Sequence, residues 1–127
     1  GIVLDVHGAA SYTRHVLATA LRKGPYQVNL LLGGHDAEQG PSLYYIDYLG
    51  SCHSMKTSAQ GYGAYFILSI MDRVWKPDMS LEEGLDLLRK CVKELNTRFT
   101  INYPKFYVKV ADASGVRVIG EDVWRSS

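Results

Sequence analysis

Two cysteines in 127 residues are too few for a disulfide scaffold, and Cys52 and Cys91 lack the paired spacing of a zinc site. Reduced thiols in an intracellular compartment are the expectation. Neither sign of charge is in excess, since 14 Lys and Arg stand against 13 Asp and Glu. No polyanionic partner is implied, and no basic run interleaved with aromatics marks a nucleic-acid surface. The longest apolar run falls far short of the roughly 20 residues that span a bilayer. No signal-like opening is present, but the chain starts at Gly1 without an initiator methionine. A piece of a longer protein is therefore expected, and a missing leader carries no weight.

What is present reads as one domain or part of one, with short elements in mixed order. Thr13, Val16, Leu17, Ala20 and Leu21 recur at steps of three and four, so the sequence predicts a helix over Ala9–Arg22. Gly24-Pro25 ends it. Alternation of Tyr26, Val28, Leu30 and Leu32 with Gln27 and Asn29 predicts a strand that turns fully apolar at its end. A polar loop from Gly33 to Pro41 and a second strand, Leu43–Tyr48, complete an antiparallel hairpin. A third, weaker strand is expected between Cys52 and Ala59.

Two helices follow. "GYGAYFILSIMDR", from Gly61 to Arg73, has helical length but is apolar almost throughout from Ala64 to Met71. A surface helix keeps a polar face, so this one asks for cover on more than one side. Pro77 ends it. Ser80-Leu81-Glu82-Glu83 is a capping box for the second helix, to Asn96, with Leu81, Leu85, Leu88, Val92 and Leu95 as its stripe. Cys91 beside that stripe reads as a small core residue. The join from Trp75 to Ser80 is short, so the pair should pack antiparallel, with Leu68 and Met71 against Leu85, Leu88 and Val92. Phe106–Val110, a turn at Asp112-Ala113-Ser114-Gly115 and Val116–Ile119 predict a closing pair of strands. Strands and helices grouped in this way imply an antiparallel α+β layer architecture.

Residues able to do chemistry are sparse. Cys52-His53 places a thiol beside an imidazole, yet neighbours on a strand point to opposite faces. His35, Asp36 and Glu38 offer nitrogen and oxygen ligands, but on a hairpin tip they read as a solvated loop. His7 and His15 have no metal-binding spacing, and Gly33-Gly34 opens no helix that would cradle a phosphate. Tyr44, Tyr45 and Tyr48 suggest either a contact surface or strand residues covered by the chain's own helices. No cofactor, metal or catalytic residue is assigned.

The blocks "SYTRHVLATALRKGPYQVNLLLGGHD", "GPSLYYIDYLG", "GYGAYFILSIMDR" and "LLRKCVKELNTRF" occur in that order. In sequence and spacing the chain resembles beta-type subunits of the 20S proteasome, especially the non-catalytic members at the fourth position of the beta ring. The resemblance covers nearly the whole chain. It implies an N-terminal-nucleophile αββα sandwich, of which residues 1–127 would be a single incomplete domain lacking roughly the first third. It also implies alpha- and beta-subunit partners in stacked rings, substrate polypeptides passing through the assembled particle, and a place in ATP- and ubiquitin-dependent degradation. Cytoplasm and nucleus are the implied locations. On this view the apolar helix from Ala64 reaches the seam between the two beta rings, and Ile67 and Ile70 are expected to serve assembly. The 127 residues alone are expected to aggregate or stay molten.

Active members of this family use an N-terminal threonine. Here the chain starts at Gly1 and Thr13 lies within the predicted first helix. Active members carry Gly-Ser-Gly where this chain has Gly61-Tyr62-Gly63. They carry Arg-Asp-x-x-Ser-Gly-Gly where it reads Arg98-Phe99-Thr100-Ile101-Asn102-Tyr103-Pro104. The resemblance thus implies a structural subunit. The alternatives are a threonine protease whose nucleophile lies outside these residues, or a hydrolase built on Cys52.

Overall fold

The computed structural model describes residues 3–98 and 106–119. They fall into two units, one within Gly1–Ser58 and Val110–Arg117, the other within Ala59–Lys109 and Val118–Ser127.

The first unit is a helix on a three-stranded sheet. Helix α1 spans Val6–Ala20, three residues earlier at its start than the apolar periodicity predicts. Two carboxylates explain the difference. Asp5 is the N-cap and accepts from the Gly8 N–H at 2.6 Å. Asp36, thirty residues away, accepts the Val6 N–H at 3.2 Å through both oxygens. Both satisfy donors that the first turn cannot pair internally, and both complement the positive end of the helix dipole.

Strand β1 is Leu30–Asp36, β2 is Gly40–Ile46 and β3 is Cys52–Ser54, in the order β1-β2-β3. Both pairings are antiparallel, with Leu32 opposite Tyr44, Asp36 opposite Gly40 and Ile46 opposite Cys52. The hairpin was expected, but its register corrects the sequence reading. Tyr26–Asn29 lie outside β1, while Gly33, Gly34, His35 and Asp36 belong to the strand. The connection shrinks to Ala37–Gln39, because a short turn lets the polar residues continue the ladder on both sides. The third strand is also shorter than expected, ending at Ser54. Before it, Asp47 Oδ1 accepts the Leu49 and Ser51 N–H groups at 3.0 and 2.9 Å and so folds the chain from β2 into β3.

Alternation divides this sheet. Leu32, Tyr44, Ile46 and Cys52 face α1 and enclose Ala10 and Leu17, with Ile46 fully buried. Leu31, Tyr45 and His53 form a row on the other face. Burying a side chain such as Leu17 or Ile46 stabilises by roughly 1.5–3 kcal/mol.

The second unit is built on helix α2, Ala64–Val74, and helix α3, Leu81–Arg98. Ser80 Oγ accepts from the Glu83 N–H at 3.2 Å, so the first half of the expected capping box is formed. Between the helices Asp78 takes a left-handed φ of 58°, a conformation that aspartate tolerates better than most residues. The N-terminus of α2 lies against the end of α3, where Gly63 touches Leu95, and the cluster of Ile70 and Met71 with Leu87 and Cys91 lies further along. The pair is therefore antiparallel.

The residues in that contact differ from those expected. Met71 is buried as predicted, but Leu68 and Leu88 are 38% and 39% exposed, and Leu81 is exposed too. The reason is that α3 has two covered faces instead of one stripe. Leu87 and Cys91 meet α2, whereas Leu85 and Val92 pack with Phe106, Val108 and Ile119. Val108 leads into the strand β4, Lys109–Asp112, which pairs with β5, Gly115–Val118. This strand pair starts later than the alternation of Phe106, Val108 and Val110 suggests, because Val108 binds back only through its carbonyl to the Ile119 N–H at 2.8 Å.

Candidate functional site

The entrance to α2 shows why glycine flanks Tyr62. Gly61 has φ +84°, a left-handed conformation that is open to glycine at no steric cost. Gly63 is needed for a different reason, since a Cβ there would lie 2.9 Å from Leu95 Cδ2. Between them Tyr62 is 80% exposed, its phenol clear of the helix pair. One turn on, Tyr65 is 84% exposed, and Leu68, Ser69 and Asp72 continue the same side of the helix. The apolar run thus splits into an inner line of Ile67, Ile70, Met71 and Val74 and an outer line led by two tyrosines. Ile70 is buried against α3 within this chain, so it cannot be an outward assembly contact as the sequence reading had it, and Ile67 also packs on that cluster.

The residues singled out for chemistry are not brought together. Thr13 lies in the middle of α1 with its Oγ1 donating to the Ala9 carbonyl at 2.8 Å. Cys52 packs half-buried against the Ala10, Leu17 and Ile46 cluster, while His53 is exposed on the opposite face. No base lies beside that thiol on its own strand. Cys91 is a core residue of the helix pair, and burial raises its pKa above the ordinary thiol value, which disfavours the reactive thiolate.

His35 and Asp36 stand on β1 rather than in a loop, with Glu38 in the turn that follows. Asp36 is engaged by the Val6 N–H. No group of three or more metal-ligating residues occurs among the described residues. His7 Nδ1 and the Tyr44 hydroxyl are 3.3 Å apart, whereas His15 is exposed further along α1. The three strand tyrosines split as well. Tyr44 lies against the α1 cluster, Tyr45 is on the other sheet face and Tyr48 is 41% exposed. Phe99, Asn102, Tyr103 and Pro104 lie outside the described residues.

A polar knot that the sequence reading treated only as a turn closes β4 on β5. Asp112 Oδ1 accepts from the Ser114 hydroxyl at 2.6 Å and from the Ser114 N–H at 2.9 Å, and its Oδ2 accepts from Arg117 at 2.5 Å. The Ser114 hydroxyl, then Arg117, hold the carboxyl down from an ordinary 3.8 to about 2.

Helices and antiparallel strands of these lengths define an α+β protein, and the proteasome subunit family matches it over residues 3–111. The chain belongs to that family, whose fold is of the N-terminal-nucleophile type. It is 50% identical over 127 residues to proteasome subunit beta type-2-B of Arabidopsis thaliana, covering all of this chain and 62% of that protein. It is 49% identical over 116 residues to proteasome subunit beta type-2 of Oryza sativa subsp. japonica, covering 91% of this chain and 55% of that protein. It is 40% identical over 120 residues to proteasome subunit beta type-4 of Saccharomyces cerevisiae, covering 93% of this chain and 61% of that protein. The chain thus spans about three-fifths of the length of such relatives.

Proposed function

We propose that the protein containing this chain is a non-catalytic, structural beta-type subunit of the 20S proteasome core. It fills its place in the ring and holds its neighbours in register, within the machinery of ATP- and ubiquitin-dependent degradation. The observation that carries this reading is the entrance of α2. A large, 80% exposed phenol at Tyr62 stands where active members of the family place a short serine hydroxyl. A bulky phenol turned to solvent does not replace the short hydroxyl of a serine that supports a nucleophile. Similarity to beta type-2 subunits over the whole chain supports the same reading.

Its partners on this view are other alpha and beta subunits, and substrate polypeptides pass through the assembled particle. The outer line of α2, with Tyr62, Tyr65 and Leu68, supports a role in subunit contact, because tyrosine contributes large contact area for few rotatable bonds. Cytoplasm and nucleus are the proposed locations, which agrees with two free cysteines. Among the described residues no helix is long and apolar enough to cross a membrane.

The test uses the tagged full-length protein expressed in cells. It should sediment with complete 20S particles, and in those particles a threonine-directed covalent probe should label other subunits and leave this one unlabelled. A labelled tagged subunit would show it to be an enzyme. A protein that sediments apart from the particle would remove the structural reading.

A further inference from the structure

The charges of the first unit are distributed unevenly in a way that the balanced composition conceals. From Val6 to His35 there is no Asp or Glu, while Arg14, Arg22 and Lys23 all lie in that stretch. Three of the carboxylates nearest in sequence are engaged elsewhere, and Glu38 stands in the turn between β1 and β2. Asp5 and Asp36 accept N–H groups at the start of α1, and Asp47 accepts two in the turn between β2 and β3. Among the described residues the four ion pairs all lie beyond Trp75, and none reaches Arg14, Arg22 or Lys23.

Those cations border an outward ridge. Tyr12 is 64% exposed and Val16 37%, and with Thr19 they follow one line along α1 that ends at Arg22 and Lys23. A shallow cleft of about 380 Å³ lies at that end, lined by Ala18, Thr19, Arg22 and Lys23. Arg22 and Lys23 are not required to satisfy the end of the helix. The Leu17 carbonyl already accepts from the Leu21 N–H, and the Ala20 carbonyl accepts from both the Lys23 and Gly24 N–H groups.

We propose that this ridge docks a carboxylate-rich stretch of a neighbouring polypeptide chain. Tyr12 and Val16 supply the apolar contact, and Arg22 and Lys23 receive carboxylates at the cleft. The inference rests on the assembly reading above and adds the chemistry of one contact. Aromatic side chains and arginine are enriched at interfaces, and charge of one sign favours an oppositely charged partner.

The test is made on particles purified through the tagged full-length protein. A carbodiimide reagent joins a carboxylate directly to the Lys23 amine, and mass spectrometry identifies the joined peptides. The expected product links Lys23 to an Asp or Glu of another subunit, and its yield falls severalfold when salt is raised before the reaction. In parallel, Arg22→Glu with Lys23→Glu should lower incorporation into particles severalfold. Arg22→Lys should not, nor should the exposed control pair Lys90→Glu with Lys93→Glu. Lys23 found unlinked or linked only within its own chain, or normal incorporation of the Arg22/Lys23 reversal, would overturn the proposal. Ultraviolet cross-linking of the α1 peptide to RNA would overturn it too. Absence of the unaltered protein from particles would remove the assembly reading and this contact with it. Its presence with an unpartnered Lys23 would remove only this contact.

Discussion

Leu95 fills the space that a side chain at position 63 would need, coming within 2.9 Å of where a Cβ would stand. This contact ties the end of α3 to the entrance of α2 and sets how closely the two helices approach. Because the obstacle is the far end of a flexible leucine, Gly63→Ala should be absorbed with a modest loss. Gly63→Val should cost about 1–3 kcal/mol through overpacking. Chemical denaturation of the full-length protein is the measurement, and a Val variant as stable as the Ala variant would mean that the helices separate freely there.

Tyr62 lies beside that contact without taking part in it. Tyr62→Ser introduces the short hydroxyl that the family resemblance places here in active members, and it should leave stability within about 0.5 kcal/mol, as for an ordinary surface change. It should also leave the subunit without peptidase activity, because a supporting hydroxyl supplies no nucleophile. Labelling of the variant by a threonine-directed probe within particles would contradict this.

Asp36 should be the residue that fixes α1 on the hairpin. Asp36→Ala leaves the Val6 N–H without its acceptor and should destabilise by about 0.5–2 kcal/mol, the usual range for loss of a helix cap. Asp36→Asn keeps an acceptor oxygen and should recover a good part of the difference. Equal stability of the Ala and Asn variants in urea titrations would mean that water replaces the carboxylate at no loss.

The tip of the β4–β5 hairpin should respond to acid. Asp112 has its folded pKa lowered to about 2, chiefly by the Ser114 hydroxyl and then by Arg117. A lowered folded value means that the stabilising contribution is fully present above the unfolded value of 3.8 and is lost as pH falls toward 2. Carboxyl NMR titration should place the Asp112 midpoint below the ordinary aspartate range, and Ser114→Ala should raise it. A midpoint unchanged by that substitution would show that the hydroxyl does not hold the charge.

The helices were legible because their signals are local. The Ser80 cap and the proline after α2 act within a few residues, and both helices lie where they were expected, although the Glu83 carboxylate pairs with Lys76 instead of closing the capping box. The strand bounds were harder to read, because Gly33, Gly34, His35 and Asp36 are turn formers by composition. They become a strand only through pairing with Gly40–Leu43. The choice of Leu87 and Cys91 over Leu88 for the helix contact was hidden for a similar reason. A single stripe was assumed, whereas Leu85 and Val92 are claimed by Phe106, Val108 and Ile119. The Asp36 cap was illegible, since its donor is thirty residues away. The expectation about function rested on the residue types of the Gly61-Tyr62-Gly63 triplet, and the structure adds that Tyr62 is exposed there.

The two sides of α2 should fail in different ways when a charge is placed on them. Ile70 packs against Leu87 and Cys91, so Ile70→Asp buries an unpaired carboxylate inside this chain. That variant should be lost before assembly begins, with low soluble yield of the full-length protein. Tyr65 and Leu68 are on the outer line, 84% and 38% exposed, and aspartate at either position meets water in the isolated subunit. Tyr65→Asp should therefore keep normal stability in denaturant titrations, and Leu68→Asp should lose only about 0.2–0.5 kcal/mol to repulsion from Asp72 four residues on, yet both should assemble poorly, with half-particles accumulating on native gels. Asp72 already lies on that face, which adds like-charge repulsion to the desolvation cost when a neighbour closes over it. Complete particles at normal levels for both outer variants would show that this side of α2 stays in solvent, and would leave only its inner line with a structural role.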